Sequence, residues 1–197
     1  MSETPLSQLC NLLISICSAA KDRGWVIEYT PFKTKTTTMY GSQLVDAIAV
    51  GTVEIPVKLW LGGSGLERGA HSTIRLANVL HIPSSICNVF AVKIAAIEHR
   101  WHFQLGGMAD GTMGKLTDGK GRRLGYLVET NGLLLPSIKL SAPPIGLKTG
   151  PSTFENDSVY AVSVQWPDSE RARWKAASRA TNASDTVDSI RRRRRNG

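Results

Sequence analysis

The sequence lacks the patterns of several common kinds of functional site. Its 197 residues include only three cysteines, Cys10, Cys17 and Cys87, and no two of them form a Cys-x-x-Cys pair. This pattern argues against a zinc knuckle or a disulfide framework and favours a reduced intracellular compartment. The glycines of residues 61–72 are not followed by Gly-Lys-Ser/Thr, and no Gly-x-Ser-x-Gly occurs. A phosphate-binding loop and a hydrolase nucleophile elbow are therefore not indicated.

Long apolar runs are also missing. The run from Leu9 to Ala20 has 12 residues, which is too short to span a bilayer. The residues before it include Glu3 and no Lys or Arg, unlike a signal peptide. We therefore expect no membrane insertion and no secretion, and we predict a location in the cytoplasm or nucleus. Apolar residues recur at helical spacing in residues 5–22, which predicts an N-terminal helix within residues 1–24.

The positive charge is concentrated at the C-terminus. The whole chain has a formal net charge of +8. Residues 1–170 contain 15 Lys/Arg against 14 Asp/Glu, whereas residues 171–197 contain 9 against 2. Five of the nine form the run Arg191, Arg192, Arg193, Arg194 and Arg195. Charge counting therefore assigns any contact with nucleic acid to the tail rather than to the nearly neutral remainder.

Residues 25–140 read as short strands separated by glycine-rich turns. The clearest strand is "TVEIPVKLW", in which Val53, Ile55 and Val57 alternate with polar residues. Pro56 lacks an N–H group, so this strand is predicted to lie at a sheet edge or beside a bulge. Burial is expected for the following apolar positions: Val53, Ile55, Val57, Leu76, Val79, Leu80 and Val89.

The C-terminal part has a different composition. Residues 141–157 are rich in Pro, Gly, Ser and Thr, which predicts a linker. Residues 158–179 are predicted to form one more strand, "VYAVSVQW", and then a helix. Asp168 and Ser169 are both candidates for its N-cap, with Glu170 in the first turn. Residues 180–197 are polar and end in the arginine run, so we expect a disordered basic tail.

The segment "NVLHIPSSICNVFAV", residues 78–92, resembles a signature of copia-type (TNT-like) retrotransposon Pol polyproteins. In that family the signature lies in the protease-like β-barrel domain. The similarity covers residues 25–140, and as a whole it is greatest to stand-alone fungal reading frames of this type. It implies a mainly β protein with an antiparallel, retropepsin-like barrel over residues 25–140. The signature is long and gapless, but most of its members are core residues, so its specificity is moderate.

The resemblance also implies what happened to the catalytic motif. Active copia-type elements carry Asp-Ser-Gly in the first barrel strand, whereas this chain has Glu28, Tyr29 and Thr30 there. An aspartic protease needs two carboxylates, one from each subunit of a dimer, that share a proton. Glutamate displaces its carboxylate by roughly 1.5 Å, and misplacement of about 1 Å can cost on the order of a hundredfold in rate. Glu28 is therefore interpreted as a non-catalytic, outward-facing residue, with Trp25, Ile27 and Tyr29 on the opposite face of the strand.

Histidines are the other candidate site residues. "EHRWH" does not match the His-Glu-x-x-His zinc pattern, and strand spacing would place His99 and His102 on opposite faces. His81 falls where the resembled family carries an aromatic residue, so a packed ring is expected. "DGT" at residues 110–112 has its glycine before its hydroxyl residue, the reverse of the order in the protease motif, and it lies in a predicted turn. It is therefore not expected to supply the missing catalytic aspartate. No metal ligand and no cofactor are predicted.

Three functions remain open from the sequence. The first is a domesticated or decaying, non-catalytic Pol-derived β-barrel that acts as a binding module. The second is a nuclear protein that contacts nucleic acid weakly and without sequence preference through Arg191–Arg195. The third, and most distant, is a dimeric aspartic protease. The resemblance also makes a homodimer a candidate assembly; no other partner is indicated.

Overall fold

Two units make up the chain, residues Met1–Gln165 and Trp166–Gly197, in a computed structural model. The structure describes residues 17–38, 44–60, 70–85, 87–106, 111–130, 133–141 and 164–180. All of the described strands belong to the first unit, and residues 168–180 of the second unit form a helix, α2.

The first unit contains a five-stranded mixed sheet with the order β1-β4-β3-β2-β9. Its strands are β1 (Ala19–Ala20), β2 (Val26–Thr38), β3 (Leu44–Lys58), β4 (His71–His81) and β9 (Val164–Gln165). β2, β3 and β4 pair antiparallel in chain order, as does β2 with β9, whereas β1 pairs parallel with β4. A 3-10 turn at Arg23–Trp25 leads into β2, and the Asp22 side chain caps it by accepting a hydrogen bond from Gly24 N.

The same unit contains a four-stranded antiparallel sheet with the order β5-β6-β7-β8. Its strands are β5 (His102–Leu105), β6 (Gly114–Thr117), β7 (Arg123–Thr130) and β8 (Leu133–Ile138). Helix α1 (Val92–His99) precedes β5 and ends at Arg100, which has left-handed backbone angles. Each strand of this sheet neighbours the next in sequence, so all its pairings are local.

Both sheets contribute side chains to one hydrophobic core. Val57 and Ile74 of the five-stranded sheet belong to the same buried cluster as Leu116 and Leu127 of the four-stranded sheet. The sheets are also joined by backbone hydrogen bonds, from Lys58 N to Lys139 O at 2.9 Å and from Ser141 N to Pro56 O at 3.0 Å. The burial predicted from the sequence is confirmed at all seven positions: Val53, Ile55, Val57, Leu76, Val79, Leu80 and Val89.

The mainly β class is therefore confirmed, and so is a helix in the second unit. The described strands form two sheets linked by an isolated bridge between Val57 and Leu140, rather than one closed sheet. Within residues 25–140 the described strands pair antiparallel, as expected, whereas β1, which precedes this range, runs parallel to β4. Helix α2 begins at Asp168, so neither Asp168 nor Ser169 is its N-cap residue. The predicted linker, residues 141–157, lies outside the described residues except for Ser141.

Three sequence interpretations need correction. The helix predicted over residues 5–22 does not extend to its last six residues, where Ala19 and Ala20 form β1; residues 1–16 lie outside the described part. Helix α1 falls within a region interpreted as strands. β3 is a central strand rather than an edge strand. At Pro56 its pairing with β2 has already ended at Val53, and the isolated bridge between Val57 and Leu140 lies on that side instead.

Candidate functional site on the outer face of the five-stranded sheet

Glu28 lies on β2, directly opposite Thr52 of β3. Its side chain is 63% exposed, so it faces solvent, as the sequence predicted. The carboxylate accepts a hydrogen bond from Thr52 Oγ1 at 2.6 Å and forms an ion pair with Arg75 Nη2 at 2.5 Å. Both carboxylate oxygens of Glu28 are thus engaged, one by a side chain of β3 and the other by a side chain of β4.

Arg75 connects the three central strands of this sheet. It lies on β4 in register with Glu54 of β3, and its Nη1 is 2.8 Å from Glu54 Oε1. Its second terminal nitrogen binds Glu28, so one guanidinium joins two carboxylates that belong to different strands. We call Glu28, Thr52, Glu54 and Arg75 the arginine bridge.

The arginine bridge keeps Glu28 ionised. The hydrogen bond from Thr52, and then the hydrogen bond and charge of Arg75, lower the pKa of the Glu28 carboxyl from its usual value. The hydrogen bonds from Arg75 to Glu28 and to Glu54, together with the charges of these carboxylates, raise the pKa of Arg75. Because the folded-state pKa of Glu28 is lowered, its contribution to stability is present above the unfolded-state pKa and is lost as the pH falls through the folded-state pKa. A catalytic dyad needs the opposite, a carboxyl that retains a shared proton.

A bulge in β2 sets which side chains face the core beside Glu28. The register between β2 and β3 shifts between Val26 and Glu28, which inserts Ile27 as an extra residue. Trp25 and Tyr29 pack with the core, as predicted, whereas Ile27 is 51% exposed. The strict alternation predicted for this segment is therefore wrong at Ile27.

On the core side of β2, Tyr29 meets the buried His81. The Tyr29 hydroxyl lies 3.1 Å from His81 Nδ1, and the two rings pack edge to face with centroids 5.6 Å apart. Burial lowers the pKa of His81, which favours the neutral ring. The Arg23 guanidinium lies 4.0 Å from the centre of the Tyr29 ring. The packed ring predicted for His81 is confirmed.

The remaining candidate residues do not form a site with Glu28. His99 ends helix α1 and stacks on Trp101, whereas His102 begins β5, so the strand spacing assumed for this pair is wrong. Among the described residues, no group of three or more His, Cys, Asp or Glu side chains is arranged to hold a metal ion. Of residues 110–112, only Gly111 and the buried Thr112 are described. Arg191–Arg195 lie outside the described residues.

One small cavity lies between the five-stranded sheet and residues 88–90. Its volume is about 10 Å³, and its lining includes Ser18, Trp25, Val79 and Asn88. That volume is about the minimum needed for one water molecule, so this cavity cannot admit a substrate or cofactor. Within the described residues, no helix has the length and apolar character needed to cross a membrane.

The arginine bridge was only partly visible in the sequence. The two-residue alternation of β3 already placed Glu54 on the outward face. Arg75 lies in a predicted strand, but the sequence does not fix the register that brings it to Glu28 and Glu54. Thr52 was not predicted as a partner, because its contact depends on the bulge at Ile27.

Comparison with protein-family models, with curated proteins and with solved structures found no match to this chain.

Proposed function

We propose that this chain is a non-catalytic, domesticated or decaying protease-like domain of the copia-type retrotransposon Pol family, and that it acts by binding. The observation that carries the proposal is the arginine bridge. A carboxylate that accepts a hydrogen bond at 2.6 Å and forms an ion pair at 2.5 Å is held as an anion on an exposed sheet face. It serves there as a cross-strand contact, which suits a relic of a catalytic position.

The finer architecture belongs to the same proposal. We infer a nearly closed, retropepsin-like barrel in which the Val57–Leu140 bridge joins the two sheets along one side. The shared core and the hydrogen bonds between β3 and residues 139–141 support this arrangement. The next residues of the motif weigh against catalysis, since Tyr29 is bulky and directed to the core, and Thr30 and Pro31 follow it.

A peptide-cleavage assay tests the absence of catalysis. We expect the full chain to cleave no peptide in a mixed peptide library at any pH from about 3 to 7, the range in which a carboxylate dyad would share its proton. Glu28→Asp should remain inactive, because Tyr29 and Thr30 still differ from the protease motif. Cleavage that pepstatin inhibits and that Glu28→Gln abolishes would contradict the proposal.

The placement of charge favours a second candidate function. Residues 171–197 carry nine basic and two acidic residues, and five of the basic ones are consecutive arginines. Such a segment can bind the phosphates of duplex DNA without reading the base sequence. Neutralising five phosphates gives a slope of roughly −4.5 when the logarithm of the binding constant is plotted against the logarithm of the salt concentration. This function therefore predicts strongly salt-dependent binding that Arg191–Arg195→Gln removes.

A further inference from the structure

The two sheets of the first unit differ in how their charges are arranged. On the five-stranded sheet, Arg75 pairs with two glutamates, and Lys35 pairs with Asp46 at 2.5 Å. At one end of the four-stranded sheet, basic residues accumulate around the turn that joins β6 to β7. We call these basic residues, together with the neighbouring indole of Trp60, the basic turn surface. Its members are Arg100, Lys120, Arg122, Arg123 and Trp60.

Hydrogen bonds within the turn engage its one carboxylate, Asp118. Asp118 accepts hydrogen bonds from Lys120 N and Arg122 N, both at 2.9 Å, and from Arg122 Nε at 2.7 Å. Its side chain is only 13% exposed, so it offers little negative charge to solvent. The ammonium group of Lys120 is left exposed and has no ion-pair partner within the described part of the chain.

Arg100 is placed against this turn by the end of helix α1. A Cβ built on Gly119 would lie 3.3 Å from Arg100 Cβ and 3.3 Å from Arg100 O, so the two backbones are in near contact. Arg100 is exposed and, like Lys120, forms no ion pair with a described residue. Two separate chain segments thus place Arg100 beside the turn that carries Lys120 and Arg122, which counting charge along the sequence does not reveal.

Aromatic rings flank these cations on two sides. The Arg123 guanidinium lies 4.0 Å from the centre of the Trp60 ring, and Trp60 remains 38% exposed. On the side of Arg100, His99 is exposed and stacks on Trp101 with ring centres 4.7 Å apart. One row across three strands contains His102, Thr117 and Arg123, and this row spans roughly 10 Å.

We propose that the basic turn surface binds a short stretch of single-stranded nucleic acid. Arg100, Lys120 and Arg122 would contact consecutive phosphates, and an unpaired base would stack against the exposed indole of Trp60. Exposed aromatic rings beside a cationic track are the features that recognise single strands, because every base offers a π face. A duplex hides its bases and would use only the charges. This inference goes beyond the proposed function and holds whether or not the chain cleaves peptides.

The test uses the full chain with Arg191–Arg195→Gln, so that the tail does not mask the folded surface. Binding of a fluorescein-labelled oligothymidine is measured by anisotropy between 50 and 200 mM salt. For three phosphate contacts, the logarithm of the binding constant should fall with the logarithm of the salt concentration with a slope of about −2. Adding Arg100→Asn and Lys120→Gln should bring the slope about 1.4 closer to zero; Asn suits the left-handed position of residue 100. Trp60→Leu should weaken binding about tenfold with little change in slope.

Lys35→Gln is the matched control, because it removes one exposed cation from the other sheet. It should change the dissociation constant by no more than about twofold, in line with a surface ion pair away from the site. Circular dichroism spectra of all variants must match the parent. The proposal is overturned if the parent does not bind oligothymidine, or if the Arg100/Lys120 variant behaves like Lys35→Gln. Equal affinity for a duplex of the same length, with no effect of Trp60→Leu, would indicate a polyanion contact only and also overturn it.

Discussion

Gly51→Ala is expected to destabilise the protein by roughly 3 kcal/mol or more. A Cβ at this position would lie 2.0 Å from Glu28 O and 2.2 Å from Val26 Cγ1, and the first of these is a backbone atom of the adjacent strand. β2 would have to move away from β3 at the point where its register is already shifted by the bulge at Ile27. Since small domains are stable by only about 5–15 kcal/mol, we expect a large fall in the urea midpoint.

Gly125→Ala is the matched control for this effect. Gly125 is also a strand glycine, but a Cβ there would meet its nearest atom, Val57 Cβ, at 3.6 Å, an ordinary van der Waals distance. We expect a change within about 1 kcal/mol for this variant. Equal urea midpoints for the two variants would contradict the close approach of β2 and β3 at Gly51.

Leu127→Ala is expected to cost about 2–5 kcal/mol. Leu127 is fully buried, and it belongs to the core to which both sheets contribute. If that core is shared, losing these methyl groups from the four-stranded sheet should destabilise the five-stranded sheet as well. Thermal unfolding of the variant, followed by circular dichroism and by tryptophan fluorescence, should therefore show one transition at a lower temperature.

Leu105→Ala provides the comparison within the same sheet. Leu105 is 58% exposed at the end of β5, so the same substitution should change stability by no more than about 0.5 kcal/mol. Two separated transitions in Leu127→Ala, with the one assigned to the five-stranded sheet unchanged, would mean that the sheets do not share a core.

The strands were predictable where one simple period dominated. In β3 the alternation of Val53, Ile55 and Val57 with polar residues identified both the strand and its buried face, because each buried position recurs after two residues. His81 was correctly expected to be packed. The outward orientation of Glu28 also followed from the strand pattern.

Other features depend on contacts between distant segments. Ala19 and Ala20 satisfy a helical pattern equally well, and only pairing with β4 makes them a strand. Helix α1 was missed because its region was interpreted as part of a run of short strands, although "VKIAAIEH" has no Gly or Pro to interrupt a helix. The arginine bridge and the basic turn surface arise from register and chain folding, which charge counting in sequence order cannot supply.

Titration of Glu28 by carbon-13 NMR tests the central claim most directly, which is that this carboxylate is a structural anion and not half of a catalytic pair. We expect its pKa to lie below the ordinary value for glutamate, because Thr52 and Arg75 stabilise the charged form. In Arg75→Gln the pKa should rise toward the ordinary value, whereas Lys35→Gln, which removes a cation paired with Asp46, should leave it unchanged. A raised pKa for Glu28 that depends on protein concentration would indicate a proton shared between two subunits, and it would contradict the account.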